Sequence, residues 1–434
     1  MPRDLSLIVP CYDEAPYLRD SVAELLRALD RSRLDYEVVF VDDCSRDSTR
    51  EILEEICAGS ERCRAIFHDR NRGRGGAFKT GFAATSGRVA GFLDIDLEIG
   101  PHYVVPLVSR ILDDGYDVAT GERIYLLSQT RAFHRHVLSR GYRWLCRLAL
   151  GFGIRDSETG CKFFRRDTSS EVVLGSENDG WFWDTEVMAR AALANLRIVE
   201  MPVLFLRRPE RTSSVHVWRD SRQYLIDLQR FRGAVGLSLV SKSPVYWTGL
   251  GYEWTMRALY GGAWQQTFAD VARRIPDGAS VVDVCAGTCQ LERSHLKGRC
   301  DVLGLDFNGH LVMAARRRGA NVRHFDLLRE DVPEADYVVM CSSLYHFRRR
   351  ESEIFAKLEK AARRAVIVSE PVENLSAGGG AWRRWIARWT NPGVGEFEER
   401  YDLEAFRAFA ERHGASELHH PPGARNALAV FEKR

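Results

Sequence analysis

The chain has 434 residues, 45% of them hydrophobic and 28% charged, with a formal net charge of +2. That length suits two or three domains with separate cores, and the composition excludes a disordered or fibrous chain. The near-balanced charge gives no sign of a nucleic-acid partner, and no apolar run reaches the ~18 residues that span a bilayer.

The N-terminus runs directly into the strand-like Leu5–Val9, too short for a signal peptide, so a cytoplasmic protein is expected. Further strand-like runs at Tyr36–Val41, Arg64–Phe67, Val89–Leu93 and Val118–Thr120 alternate with amphipathic stretches such as Tyr17–Leu29. In that stretch Leu18, Val22, Leu25, Leu26 and Leu29 share one face. Asp47 reads as the N-cap of the next helix, with Glu51 in its first turn. The alternation predicts an α/β sheet wound as in nucleotide-binding folds.

Two of these runs end in carboxylates: Asp42-Asp43, and then Asp94-Ile95-Asp96 with Glu98 close behind. Open α/β sheets bind ligands at the carboxyl ends of their strands. Two Asp one residue apart can share a hard divalent cation, which in turn bridges substrate phosphates. Between the two acidic runs, Asn71-Arg72-Gly73-Arg74-Gly75-Gly76-Ala77 precedes a helix ending at Ser86-Gly87. Its glycines would let backbone approach a phosphate that Arg72 or Arg74 neutralises; a simple glycine turn is the alternative.

In order, Leu7–Glu14, Val41–Thr49, Asn71–Ala77, Asp94–Asp96, Gly121–Arg123 and Thr159–Arg165 resemble the family 2 glycosyltransferases of the GT-A fold. The resemblance is strongest to the polyprenyl- and dolichyl-phosphate sugar synthases, and it implies a first domain over residues 1–235. It further implies that Pro10, Tyr12 and Glu14 border the base and ribose of a nucleotide-sugar donor. By the same likeness Asp43 contacts the base and Arg74 lies on the donor side. Asp94 and Asp96 would hold Mg²⁺ or Mn²⁺, with Glu98 as a further ligand, in an inverting transfer. The metal is a Lewis acid on the departing nucleoside diphosphate.

On the acceptor side Arg123, Arg135, Ser139 and Arg140 resemble positions that grip a lipid phosphate, for which the planar Arg fork is suited. An Arg-rich solvated helix is the alternative. Asp184, in Trp181–Glu186, would orient or deprotonate an acceptor hydroxyl, or simply cap its helix. A phosphate acceptor, already ionised, needs no base. The acceptor is therefore a polyprenyl phosphate or a soluble small molecule, and the former is compatible with peripheral association at the inner face of a membrane.

Residues 236–275, rich in Gly, Ser, Trp and Tyr, read as an aromatic helical linker. The strand–helix alternation then restarts over 276–434. Ala279–Val284 leads into the turn Cys285-Ala286-Gly287-Thr288-Cys289, and Asp301–Asp306 ends in an acid. Asp326 closes a short third strand, Tyr337–Cys341 and Ala365–Ser369 follow, and Ala427–Lys433 is the last strand. An acid about twenty residues beyond a glycine turn fits ribose recognition.

This second half resembles the class I S-adenosylmethionine-dependent methyltransferases, a Rossmann-like fold. By that likeness Asp283 and Gly287 form the first motif, Asp306 binds ribose, Asp326 lies on the adenine side, and Ser342–His346 lines the methyl-transfer mouth. The family favours three glycines in the first turn, and here two of those places are Cys285 and Cys289. No Cys-x-x-Cys spacing or histidine pair accompanies them, so reduced thiols rather than a zinc site are expected.

The resulting expectation is a bifunctional α/β enzyme, a sugar transferase joined to a methyltransferase. A transferase with a non-catalytic methyltransferase-like scaffold, and a nucleotide-sensing binding protein, are the competing readings.

Overall fold

A computed structural model describes residues 2–125, 150, 154–206, 217–237, 249–373, 400–421 and 424–433. The chain divides into two units, Met1–Phe231 and Arg232–Arg434, each built on its own seven-stranded sheet.

In the first unit the strands are β1 (Leu5–Cys11), β2 (Tyr36–Asp42), β3 (Cys63–Phe67), β4 (Val89–Leu93), β5 (Val118–Tyr125), β6 (Cys161–Arg165) and β7 (Ile198–Phe205), in the order β3-β2-β1-β4-β6-β5-β7. β1 to β4 are mutually parallel, and β6 runs antiparallel to both β4 and β5. Alternate residues of β1 serve different faces: Leu5, Leu7 and Val9 pack with helices α1 (Ala15–Asp30), α2 (Thr49–Ala58) and α4 (Val104–Leu112). Ile8 packs on the other face with Phe78 and Phe82 of α3 (Gly73–Ala83) and with Trp183. Helices α5 (Arg166–Leu174), α6 (Trp183–Leu193) and α7 (Val217–Ala234) complete the described helices here. Burial on both faces is why the central strands read as unbroken apolar runs.

The expected strands are present, with β5 running on to Tyr125, while β6 and β7 were not anticipated. Asp47 stands one residue before the cap Ser48; its carboxylate accepts the N–H of Thr49 at 3.0 Å and that of Ala15 at 3.1 Å, tying two helix starts together. The glycine-rich stretch is not a loop ahead of a helix but the first turn of α3, which ends at Ala83. A Cβ on Gly75 would fall 2.4 Å from Trp183, and one on Gly73 (φ +83°) 2.5 Å from the Asp179 carbonyl. These glycines give the start of α3 its close packing on Asp179 and Trp183.

The second unit contains β8 (Ser280–Val284), β9 (Asp301–Asp306), β10 (Val322–His324), β11 (Ala335–Cys341), β12 (Ala362–Pro371), β13 (Glu417–His419) and β14 (Asn426–Glu432). Their order is β10-β9-β8-β11-β12-β14-β13, with β14 antiparallel to both neighbours. The stretch read as a linker contributes helices α8 (Gly249–Tyr260) and α9 (Gly262–Ala272) to this unit, where α9 packs on β12 and α8 on α10 (Gly309–Arg316). α11 (Glu351–Ala361) and α12 (Leu403–Arg412) bury Phe355, Phe406 and Phe409 against the sheet. Strand β10 stops at His324, so Asp326 lies beyond it rather than closing it. In both sheets the strand order reverses beside the first strand, where doubly wound folds place their ligands. Among the described residues no helix is long and apolar enough to cross a membrane.

Candidate functional sites

After β4 the chain keeps alternating. Ile95, Leu97 and Ile99 are buried, and Asp94, Asp96 and Glu98 are half-exposed. Leu97 takes a left-handed φ of 52°, and the Glu98 N–H donates to Asp96 Oδ1 at 3.0 Å, which fixes the turn. The Asp94 N–H donates to the Gly160 carbonyl at 3.0 Å, and a Cβ on Gly160 would lie 1.7 Å from Asp94 Oδ2. Only glycine leaves Asp94 its seat.

Two cations face these acids. Arg74 Nη2 donates to both Asp94 oxygens, at 3.0 and 3.1 Å, and its Nε lies 3.3 Å from Asp184 Oδ2. That Nε–H is buried and makes no hydrogen bond. Lys162, fully buried, pairs with Asp184 Oδ1 at 2.6 Å and also donates to the Thr159 carbonyl. Phe92 and Trp181 flank the Arg74 guanidinium at 4.9 and 5.1 Å. Asp94, Asp96 and Asp184 thus outnumber Arg74 and Lys162. Burial pushes the Asp94 carboxyl up to about 7 against the pull of Arg74, and Asp96 and Asp184 add to the rise. A divalent cation would relieve this surplus, and carboxylate oxygens are the donors that Mg²⁺ or Mn²⁺ take. Glu98 does not complete a cage: among the described residues no three acidic, His or Cys side chains converge to hold an ion. Two carboxylates plus substrate phosphates are the usual Mg²⁺ arrangement, so the pair fits without it.

Pro10 lies near the end of β1, and Tyr12 and Glu14 follow it; Cys11 is in register with Asp42 on β2. The Glu14 N–H donates to Thr49 Oγ1 at 2.8 Å. Asp43 is 3% exposed and accepts the N–H groups of Arg72 and Gly73 at 2.8 and 2.7 Å and His68 Nδ1 at 2.8 Å. It thereby holds the start of α3.

The acceptor assignments change more. Arg123 is clasped by the fully buried Asp156, with Nε and Nη2 at 2.7 and 2.8 Å from its two oxygens, and Glu158 is 3.5 Å away. Asp156 thus occupies the fork that was expected to face an acceptor phosphate. Arg135, Ser139 and Arg140 lie outside the described residues. Asp184 is 1% exposed in the first turn of α6, with its oxygens facing Lys162 and Arg74. It orients those cations and is not poised as a base for an acceptor in solvent.

Lys162, Asp156 and Gly160 went unassigned in the sequence. A lysine between Cys161 and Phe163-Phe164 in an apolar strand is itself a signal, since buried Lys needs a partner. Asp156 carried no comparable sign.

In the second unit a cavity of about 250 Å³ brings together Asp283, Gly287, Asp306, Asp326 and Ser342. Cys285, Gly287 and Cys289 all take left-handed backbone, with φ of 60°, 58° and 55°. These are the three places that the resemblance gives to glycine, and a side chain there costs about 1–2 kcal/mol. Cys289 turns away from the cavity into Val312, Ala315 and Val322, and Gly304 makes the room; a Cβ there would sit 2.7 Å from Cys289 Sγ. Of the two turn cysteines, Cys285 lines the cavity.

Asp306 Oδ2 accepts the Gly287 N–H at 2.8 Å and Oδ1 that of Asn308 at 2.7 Å. Carboxylate oxygens of this kind can also accept from a ligand hydroxyl. Burial, then Asp306 and Glu292, pushes the Asp283 carboxyl up to about 8. Asn426 donates to Ser342 Oγ at 3.1 Å, and Asp326 Oδ1 accepts the Leu328 N–H at 3.0 Å. His346, also on the cavity wall, is lowered to about 3 by burial and by Arg400.

Residues 6–173, all within the first unit, match the sequence model of glycosyl transferase family 2. Glycosyltransferase AglD of Haloferax volcanii is 33% identical over 222 residues, covering 50% of this chain and 35% of that protein. Human dolichyl-phosphate beta-glucosyltransferase is 28% identical over 221 residues, covering 46% of this chain and 67% of that protein. The chain thus spans roughly one third to two thirds of these curated relatives. Among solved structures, magnesium protoporphyrin IX methyltransferase from Synechocystis with bound SAH aligns with a TM-score of 0.33 and 17% identity, over 44% of this chain and 97% of that one.

Proposed function

We propose that the first unit transfers a sugar, with inversion, from a nucleotide-sugar donor to a polyprenyl-phosphate acceptor, and that the second binds S-adenosylmethionine and methylates the product or a pathway intermediate. The acidic pair Asp94/Asp96, set beside Arg74 where the strand order reverses, carries the first half of this reading. When bound there, Mg²⁺ or Mn²⁺ would supply Lewis acidity toward the diphosphate. Gly160 seats Asp94, the turn at Leu97 aims Asp96, and Lys162 fixes Asp184 so that Arg74 is held over the site. Such preorganised charges favour the state in which negative charge grows on the leaving group.

A phosphate acceptor is favoured over a hydroxyl because Asp184, the base that a hydroxyl would call on, is enclosed between two cations. Likeness to a dolichyl-phosphate glucosyltransferase supports the same acceptor class. Peripheral association with the membrane carrying that lipid follows from the proposal. For the second unit, support comes from the strand order with β14 reversed and from a cavity that gathers Asp283, Gly287 and Asp306.

The first half is tested by incubating the purified 434-residue chain with UDP- and GDP-sugars and dolichyl phosphate, with Mn²⁺ or EDTA. Lipid-linked sugar formed only with metal supports it, and equal turnover in EDTA would end it. Titration with S-adenosylhomocysteine tests the second half: heat on binding supports it, and none at millimolar ligand reduces the unit to a scaffold.

A further inference from the structure

Arg74 contacts the acidic site in an unusual way. One nitrogen, Nη2, spans both oxygens of Asp94, so the guanidinium sits where a cation shared by that carboxylate would sit. Its grip on the second acid is incomplete, because Nε lies within ion-pair reach of Asp184 yet its N–H has no hydrogen-bond acceptor. The side chain is held between Phe92 and Trp181, and Trp181 is 46% exposed, so the outer wall of its seat is open to solvent. A planar guanidinium with an unmet buried donor is better satisfied by a diphosphate, which offers paired oxygens, than by this seat.

We propose that Arg74 is a stand-in cation: in the donor-free protein it occupies Asp94 in place of the metal ion, and the incoming nucleotide diphosphate draws it away so that Asp94 becomes available to the ion. This rests on the reading of Asp94 as a metal ligand. The consequence is that free metal binds poorly on its own, and ion and nucleotide favour one another, because each needs Arg74 moved from Asp94. Coupling of this kind is reciprocal by linkage. It gives Arg74 a positioning role apart from any contact with the transferred sugar.

The test is a Mn²⁺ titration of the full chain without nucleotide, read from the electron paramagnetic resonance signal of the free ion. Arg74→Met should bind Mn²⁺ more tightly than wild type by about fivefold or more, the lower end of ordinary site-to-site coupling. The gain should vanish in Arg74→Met/Asp94→Asn. If Arg74→Met binds no more tightly than wild type, or if the gain survives loss of the Asp94 charge, the inference is overturned. Should Arg74→Met lose its native circular dichroism, Arg74→Gln is read in the same way, since its neutral amide cannot offset the Asp94 charge. A control with uridine diphosphate separates the two levels. Wild type that binds Mn²⁺ with nucleotide, beside an unchanged Arg74→Met, fails only the stand-in role. No Mn²⁺ binding by any variant, with or without nucleotide, removes the metal reading and the inference with it.

Discussion

In the first unit Asp94 and Asp184 sit against Arg74 and Lys162. In the second, Asp306 sits against backbone N–H groups, and Asp283 has no cation within ion-pair reach among the described residues. Both groups of acids stand at the carboxyl ends of parallel strands beside a reversal of strand order, so the sheet alone does not set their chemistry. Fixed cations meet two of the three carboxylates of the first site and leave a surplus that a further cation would relieve. Burial without cations leaves Asp283 protonated near neutrality, able to donate to an uncharged ligand group. The two sites differ in counter-charge more than in fold.

The largest effect should come from stripping counter-charge from the first site. Lys162→Met leaves Asp184 buried beside only one cation, and breaking a buried pair costs about 3–5 kcal/mol. Chemical denaturation should show that loss, and Lys162→Met/Asp184→Asn should recover part of it. An unchanged midpoint in the single variant would mean that the pair does not hold this unit together. Next, Asp96→Ala should lower sugar transfer about 10²–10³-fold, as loss of one electrostatic contact to a developing charge does. Gly160→Ala, which displaces Asp94 without altering any charge, should also impair transfer; normal turnover in that variant would show that the Asp94 position is not critical.

The second site should lose stability as pH rises. Asp283 and Glu370 are each pushed up to about 8, mainly by burial, so the folded unit keeps protons that the unfolded chain releases at ordinary carboxyl values. Their contribution to stability is complete below about pH 4 and is lost as pH rises through about 8, by up to about 1.4 kcal/mol per pH unit for each group. His346, lowered to about 3, acts only below its ordinary value near 6.5. Melting followed from pH 6.5 to 8.5 therefore reads these two acids together with Asp94 of the first unit, and substitution separates them. The melting temperature should fall across that range, and Asp283→Asn should flatten the fall; a rising profile would place charged acids in the cavity.

Much of the architecture was legible because β1, β2, β4, β8 and β11 are buried on both faces and appear as unbroken apolar runs. β6 was missed because it is short and carries Lys162 and Arg165, and β7 because Glu200 and Pro202 break its apolar pattern. The acids of both sites were visible as carboxylates ending apolar runs. Their partners were not, since Lys162 and Asp184, or Arg123 and Asp156, meet only through the fold. The packing role of the glycines was hidden for a related reason. Gly73 and Gly75 look like a phosphate loop, but what they admit is Asp179 and Trp183.

The central claim is that one chain carries two distinct ligand sites, one for a metal–nucleotide and one for an adenosyl ligand. It is tested most directly by thermal shift on wild type, Asp96→Ala and Asp306→Asn, each with Mn²⁺ plus UDP and, separately, with S-adenosylhomocysteine. Losing a charge-assisted hydrogen bond costs about 1.5–3 kcal/mol, so Asp306→Asn should weaken adenosyl binding roughly tenfold to a hundredfold. The account predicts that Asp96→Ala loses only the Mn²⁺–UDP shift and Asp306→Asn only the S-adenosylhomocysteine shift. Either variant losing both shifts, or wild type showing neither, would contradict it.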